Sequence, residues 1–449
     1  MDRENAIPPE ALTGSLRDFR EIKGANILGR VDPFFEWQNL RRRNELWPYS
    51  RSTSTAPTSS CSALDDTGQA LEGVNFASQD YLSLASHPEV KAAATEAVER
   101  YGVHSAGSAA LLGNTTGSLR LEQEISDFTG RDHTVLFPTG WSAGFGAIQG
   151  LVRPDDHVVM DVLAHSCMQQ GAAAATRNIH LHGHLNLDGV KRKLKRIRDR
   201  DAVNGILVVT ESLFSMDSDT PKIRELQELC REYNATLLVD AAHDLGCLGE
   251  DGRGQLGLQN MLDDVDIIVG SFSKTFASNG GFVVAGSKSV KEYLKYYSAP
   301  QTFSNALSPM QSAVVLKAFE IVRSEEGRKL RKSLMDNTLY LREQLKLAKF
   351  DATGDPSAIV PVHIGAEGLA RIAAQELQAR GAIVNLVEYP AVARNGARFR
   401  LQVMAHHSKE EIDALVSRMR ASLDAAEPRF EPYRLSGKQK IINPVARVA

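Results

Sequence analysis

The 449-residue chain has a formal net charge of −3, with 43% apolar and 24% charged residues, so it makes no electrostatic case for nucleic acid. No apolar run approaches the about 20 residues that span a bilayer, and the first ten residues lack a signal peptide's apolar core. Its four scattered cysteines (Cys61, Cys167, Cys230, Cys247) match neither a disulfide framework nor a C-x-x-C metal site; the expectation is a soluble cytoplasmic protein of two packed domains or more.

In chain order, residues 1–73 read as an N-terminal arm, polar and rich in turn formers around 50–62. A short helix is expected over 34–46, with Arg41, Arg42 and Arg43 as a solvated face. Val90, Ala94, Ala97 and Val98 recur at helical spacing after His87-Pro88. V-L-F-P-T-G-W-S-A-G-F-G-A-I (135–148) reads as a strand, a tight turn and a helix start. Main-chain N–H groups at such a start suit a phosphate; Gly140 lets the backbone approach, and Trp141 follows it. H-V-V-M-D-V-L-A-H-S-C (157–167) places His165 just after another strand. His180, His182 and His184 alternate as on a strand surface, with no acid or cysteine pattern that argues for a metal. The stretch 191–200 is a basic amphipathic helix with Leu194 and Ile197 inward and a solvated outer face. A buried strand over 205–216 carries Glu211 and Ser215 at its end, and a helix over 223–233 follows Pro221. Strands alternating with helices argue for a mostly parallel α/β sheet.

The chemistry concentrates at two strand ends. T-L-L-V-D-A-A-H (236–243) and D-V-D-I-I-V-G-S-F-S-K (264–274) are apolar runs that end in Asp240 and His243, and in Ser271 and Lys274. A lysine at the end of a buried strand is costly unless it has a partner or a chemical task. Ligands of open parallel sheets sit beyond the carboxyl ends of the strands, so Asp240, His243 and Lys274 are expected to face one pocket. That set suits pyridoxal phosphate: Lys274 forms the Schiff base, Asp240 pairs with the pyridine nitrogen, and His243 bonds the ring hydroxyl.

The segments T-E-S-L-F-S-M-D-S-D-T-P (210–221), L-L-V-D-A-A-H-D-L-G-C-L-G-E-D-G-R-G (237–254) and S-F-S-K-T-F-A-S-N-G-G (271–281) resemble the α-oxoamine synthases. The resemblance spans roughly 74–421 and leans towards the serine palmitoyltransferase-like branch. It implies a fold-type I α/β protein: a large cofactor-binding domain over 74–310 with a mostly parallel central sheet, a smaller α+β domain over 311–430, and a tail over 431–449. The implied reaction is the decarboxylating condensation of a small α-amino acid with an acyl thioester, giving an α-amino ketone. The acyl donor is coenzyme A or an acyl carrier protein. An acidic carrier or an anionic membrane is then the alternative reading of the basic stretch 191–200. By the same resemblance His165 stacks on the cofactor ring, and Ser271, Ser304 and the Gly140–Trp141 backbone hold its phosphate. Ser215 joins the cofactor-binding set, and Arg400 anchors the substrate carboxylate. Arg398 shares its strand face and stays in play. Lys274, as a free amine, takes the Cα proton.

A homodimer with shared active sites is expected. Departures from the family pattern fall at Gln79, Ser83, Ala109, Ser118, Ala241 and Asp244, and Asp244 is expected to raise the pKa of His243. Another fold-type I enzyme, an aminotransferase or a lyase, and a non-catalytic partner subunit are the alternatives.

Overall fold

The computed structural model describes residues 7–435; of the expected tail, residues 431–435 continue the last helix and the rest lies outside the described residues. The chain divides into two compact units, one of Gln79–Met335 and one combining the residues up to Ser78 with those from Asp336 onward. Strands β1 (Ser52–Thr53), β2 (Ser60–Leu64) and β3 (Ala70–Phe76) come first and belong to the second unit.

The unit Gln79–Met335 is built on β4 (His133–Phe137), β5 (His157–Asp161), β6 (Asn178–His182), β7 (Ile206–Glu211), β8 (Thr236–Asp240), β9 (Ile267–Ser271) and β10 (Gly281–Ala285). They form one sheet in the order β4-β10-β9-β8-β7-β5-β6. From β9 to β6 every pair is parallel, and β10 alone runs antiparallel to its neighbours. β7 and β9 are buried along their whole length, as strands covered on both faces must be. On one face Val158, Met160, Val209 and Leu238 pack with Ala143, Ala147 and Met168 from the helices Gly140–Leu151 and Ser166–Ala175. Register sets Glu211 opposite Asp240, and Asp240 opposite Val269. The carboxyl ends of β7, β8 and β9 therefore lie almost level, and the site is built there.

The second unit adds β11 (Asp351–Ala352), β12 (Ile359–Gly365), β13 (Ala382–Val387) and β14 (Ala397–Gln402) in a sheet ordered β1-β2-β3-β13-β14-β12-β11. Its pairs are antiparallel except β3 with β13, where Ala382 stands opposite Val74. This differs from the arm expected over 1–73. Inside that polar-looking stretch, β2 alternates buried and exposed positions, and Cys61, Ala63 and Leu71 join Ile383 in a small core. The start of the second part of this unit also differs: it falls at Asp336, within the helix Glu325–Leu347, rather than at 311. The helix Pro309–Arg323 packs instead against Pro88–Tyr101 and Thr116–Thr129 of the first unit, with Phe128 and Phe319 5.3 Å apart.

Two local readings change as well. Arg41 is not solvated but 1% exposed, its guanidinium 5.0 Å from the Trp37 ring and 5.1 Å from the Trp47 ring. Glu388 bonds Arg41, Arg371 and the Tyr49 hydroxyl together there. Of the three histidines, only His180 and His182 lie on β6. His184 sits in the following turn, between Asp161 Oδ1 (3.1 Å) and Asp219 Oδ2 (2.9 Å). Burial works against a charge on His184, but its bonds to the two carboxylates push it up to about 10.

Candidate active site

Thr139 caps the helix Gly140–Leu151: its Oγ1 accepts the Ser142 N–H at 3.0 Å, and Ser142 Oγ accepts the Thr139 N–H at 3.1 Å. The first N–H groups of a helix have no partner inside it, so those of Gly140 and Trp141 are presented at the positive end of the helix dipole. Only glycine fits at 140, because a Cβ there would stand 2.3 Å from Ser271 Oγ. Ser271 closes β9 and accepts the Ser273 N–H at 3.2 Å.

Asp240 closes β8, is 8% exposed, and accepts the Ala242 N–H at 2.9 Å. His243, one turn further, is hydrogen-bonded through Nδ1 to the Tyr81 hydroxyl at 2.9 Å. With that hydroxyl donating, the proton of the neutral ring lies on Nε2. The Asp244 carboxylate accepts Ser212 Oγ–H and the Gln255 N–H, both at 2.7 Å, while the bond described for the His243 ring is to a tyrosine. Burial pushes Asp244 up to about 6.

His165 caps the helix Ser166–Ala175, with Nδ1 accepting the Cys167 N–H at 3.3 Å and standing 2.9 Å from Cys167 Sγ. Burial pushes the Cys167 thiol well up. Glu211, at the end of β7, is 2% exposed. Burial first, then the charge of Asp240, raises its pKa, while main-chain N–H groups of His165 and Ser215 donate to its carboxyl.

One cavity gathers Gly140, Trp141, His165, Asp240, His243, Ser271 and Lys274. Seven residues singled out along 135 positions of sequence thus meet in one wall. Cys167, Glu211, Ala242 and Gly270 complete the lining. Ser215 meets this wall through its main-chain bond to Glu211, and Ser304 lies half-buried in the turn that follows Thr302. Arg400 belongs to the other unit, on β14, 5% exposed; Arg398 on the same strand is 6% exposed and donates to the Gly396 carbonyl at 3.1 Å. Tyr81, Glu211 and Cys167 were not expected in the site. Glu211 carries the same signal as Asp240, an acid closing an apolar strand, whereas Tyr81 closes no such run and its segment, 75–84, reads only as the approach to the first helix.

The donor set fits pyridoxal phosphate. It offers a lysine amine, a buried carboxylate and an imidazole, beside a helix start whose glycine keeps a side chain out of the cradle.

Residues 72–419 match the aminotransferase class I and II family. The chain belongs to that family. Over 343 residues it is 35% identical to the 8-amino-7-oxononanoate synthase of Thermoanaerobacter pseudethanolicus, a match covering 76% of this chain and 86% of the relative. Over 357 residues it is 34% identical to the serine palmitoyltransferase of Sphingobacterium spiritivorum, covering 79% and 88%. Among solved structures, a variant serine palmitoyltransferase from S. paucimobilis with a bound pyridoxal phosphate–myriocin adduct superposes with a TM-score of 0.83 at 25% identity. That match covers 90% of this chain and 100% of the other. Within the aminotransferase class I and II family these relatives are α-oxoamine synthases, the group that the motifs resemble, and the fold is that of the fold-type I enzymes.

Proposed function

We propose that this protein is a pyridoxal phosphate-dependent acyltransferase that joins a small α-amino acid to an acyl thioester, with loss of carbon dioxide, to give an α-amino ketone. The observation that carries it is the meeting of Lys274, Asp240, His243 and His165 beside the Gly140 helix start, in a chain 35% identical to an 8-amino-7-oxononanoate synthase and 34% identical to a serine palmitoyltransferase. When bound, the cofactor supplies an electron sink for the substrate Cα.

The protein's residues do the rest. Asp240 would keep a proton on the pyridine nitrogen, His243 would donate to the ring hydroxyl, and His165 would pack against the ring. The N–H groups of Gly140 and Trp141, with Ser271 and Ser304, would hold the phosphate, and Ser215 would complete the cofactor-binding set from its place beside Glu211. Lys274 would anchor the cofactor and, as a free amine, would take the Cα proton as general base. Arg400, whose planar fork suits a carboxylate, holds that of the amino acid.

The acyl group arrives on coenzyme A or on an acyl carrier protein. A homodimer in the cytoplasm completes the reading. Leu111, Leu112 and Phe303, 86%, 90% and 87% exposed, lie on two segments joined by the Ser108–Asn305 bridge, an apolar face of the kind that a second copy covers. Among the described residues no helix is long and apolar enough to cross a membrane.

Purified protein loaded with pyridoxal phosphate should be yellow, and borohydride reduction with peptide mapping should place the label on Lys274. Acyl thioesters should release free thiol only when a small amino acid is present, together with carbon dioxide. Amino-group transfer to a keto acid without thiol release would point instead to an aminotransferase.

A further inference from the structure

Glu211 takes no part in the roles above, yet it closes β7 in the cavity wall. Register sets it directly opposite Asp240 on the parallel neighbour β8, and paired residues of adjacent strands project to the same face of the sheet. Two carboxyl groups therefore sit side by side, 2% and 8% exposed. At that depth two neighbouring carboxyls do not both ionise. Main-chain N–H groups of His165 and Ser215 donate to the Glu211 carboxyl, while its Oε1 is buried with no hydrogen-bond partner. The groups around it are Asp240 on β8, Lys274 after β9, His243 after β8, and His165 and Cys167 after β5.

We infer that Glu211 is a positioning residue held as the neutral acid, tying the chain at His165 to the chain at Ser215 and leaving the negative charge on Asp240. The inference rests on the reading of this cavity as the cofactor pocket. Geometry divides the labour between the two acids. Asp240 accepts only the Ala242 N–H among its side-chain bonds to main-chain donors that are described, and offers its charge to the cavity. Glu211 spends one oxygen on main-chain donors, and its proton rests on Oε1. Burial and the Asp240 charge both act to keep that proton in place.

The test uses the full chain with cofactor removed, then titrated back. At pH 7 the infrared spectrum of the apoprotein should show a protonated-carboxyl band that disappears in Glu211→Gln. Pyridoxal phosphate should bind Glu211→Ala about tenfold more weakly or worse, whereas Glu211→Gln, neutral and still an acceptor for the two N–H groups, should recover binding to within about threefold of the parent. Three results overturn the inference: a band that survives in Glu211→Gln, a Gln variant as weak as the Ala variant, or an Ala variant that binds like the parent. Should Glu211→Ala fail to fold, the band and the Gln titration still decide. A parent protein that does not bind pyridoxal phosphate defeats the cofactor reading itself, a result separate from these three.

Discussion

Gly140 makes the sharpest demand on a single position. A methyl group there would meet Ser271 at Oγ, Cβ and Cα, at 2.3, 2.4 and 3.1 Å, and the Cα belongs to a strand that cannot easily give. Gly140→Ala should force the helix start and Ser271 apart, lowering the urea midpoint, and should bind pyridoxal phosphate about tenfold more weakly or worse in an absorbance titration of the folded protein. Unchanged binding would mean that the phosphate is not held at this helix start. Arg400→Ala should weaken amino-acid binding by roughly 30-fold or more, from loss of a charge-assisted contact. The absorbance of the bound cofactor should not change. Arg398→Ala is the control, and if it is the damaging variant, the carboxylate partner is misassigned by two residues. The places of Lys274 and Asp240 in the cavity wall were legible in the sequence because Asp240 ends a run of branched apolar residues and Lys274 follows another by three positions, where a charge needs a partner or a chemical task. Tyr81 was not, because the bond to His243 spans 162 positions and no local pattern encodes it. Arg41 misled for a related reason. Neighbouring helical residues point about 100° apart, so one of three adjacent arginines can be buried among aromatic rings while Arg43 stays exposed.

At the scale of elements, the helix Gly140–Leu151 depends on the reciprocal bonds between Thr139 and Ser142. Thr139→Ala should cost about 1 kcal/mol, read as a lower urea midpoint for the unit Gln79–Met335, and should loosen cofactor binding more than a surface cap elsewhere does. A variant with the parent's midpoint would show that packing alone fixes this helix start. Strands and helices of this unit were mostly foreseen, because buried runs and helical spacing both persist over several residues. Their ends were less so: within the run 264–274 the strand is Ile267–Ser271, with its end set level with those of its parallel neighbours. The antiparallel direction of β10 had no local signature either, since a five-residue apolar run reads the same both ways.

The whole molecule shows where sequence pattern runs out. The arm expected over 1–73 supplies strands to a sheet whose other members lie some 300 residues later, a pairing that no short window contains. A buried histidine in that unit gives it a pH dependence. His407 stacks on Phe76 at 3.8 Å; its Nδ1 accepts the Met404 N–H, and Nε2 donates to the Asn75 carbonyl. Burial lowers it to about 4, whereas an unfolded histidine titrates near 6.5. Between those values the unfolded chain binds a proton that the folded chain refuses. Stability is therefore full above about pH 6.5 and declines as pH falls towards 4, by on the order of 3 kcal/mol for this group. Denaturant unfolding at pH 7 and pH 4.5 should show a smaller acid loss in His407→Gln than in the parent, even if the variant starts lower. Equal losses would rule His407 out as the source.

The pairing of β3 with β13 also sets a timetable. Val74 leaves the ribosome about 300 residues ahead of Ala382, its partner, and at about 5–20 residues per second that is a delay of roughly 15–60 s. The unit Gln79–Met335 is contiguous and can close during this interval. β2 and β3 cannot finish their sheet, and Leu71, Val74 and Phe76 wait beside an unpaired strand edge. The nascent chain thus carries a closed Gln79–Met335 unit while its first strands are still an adhesive half-sheet, and slow translation or scarce chaperone should harm this protein through its first eighty residues.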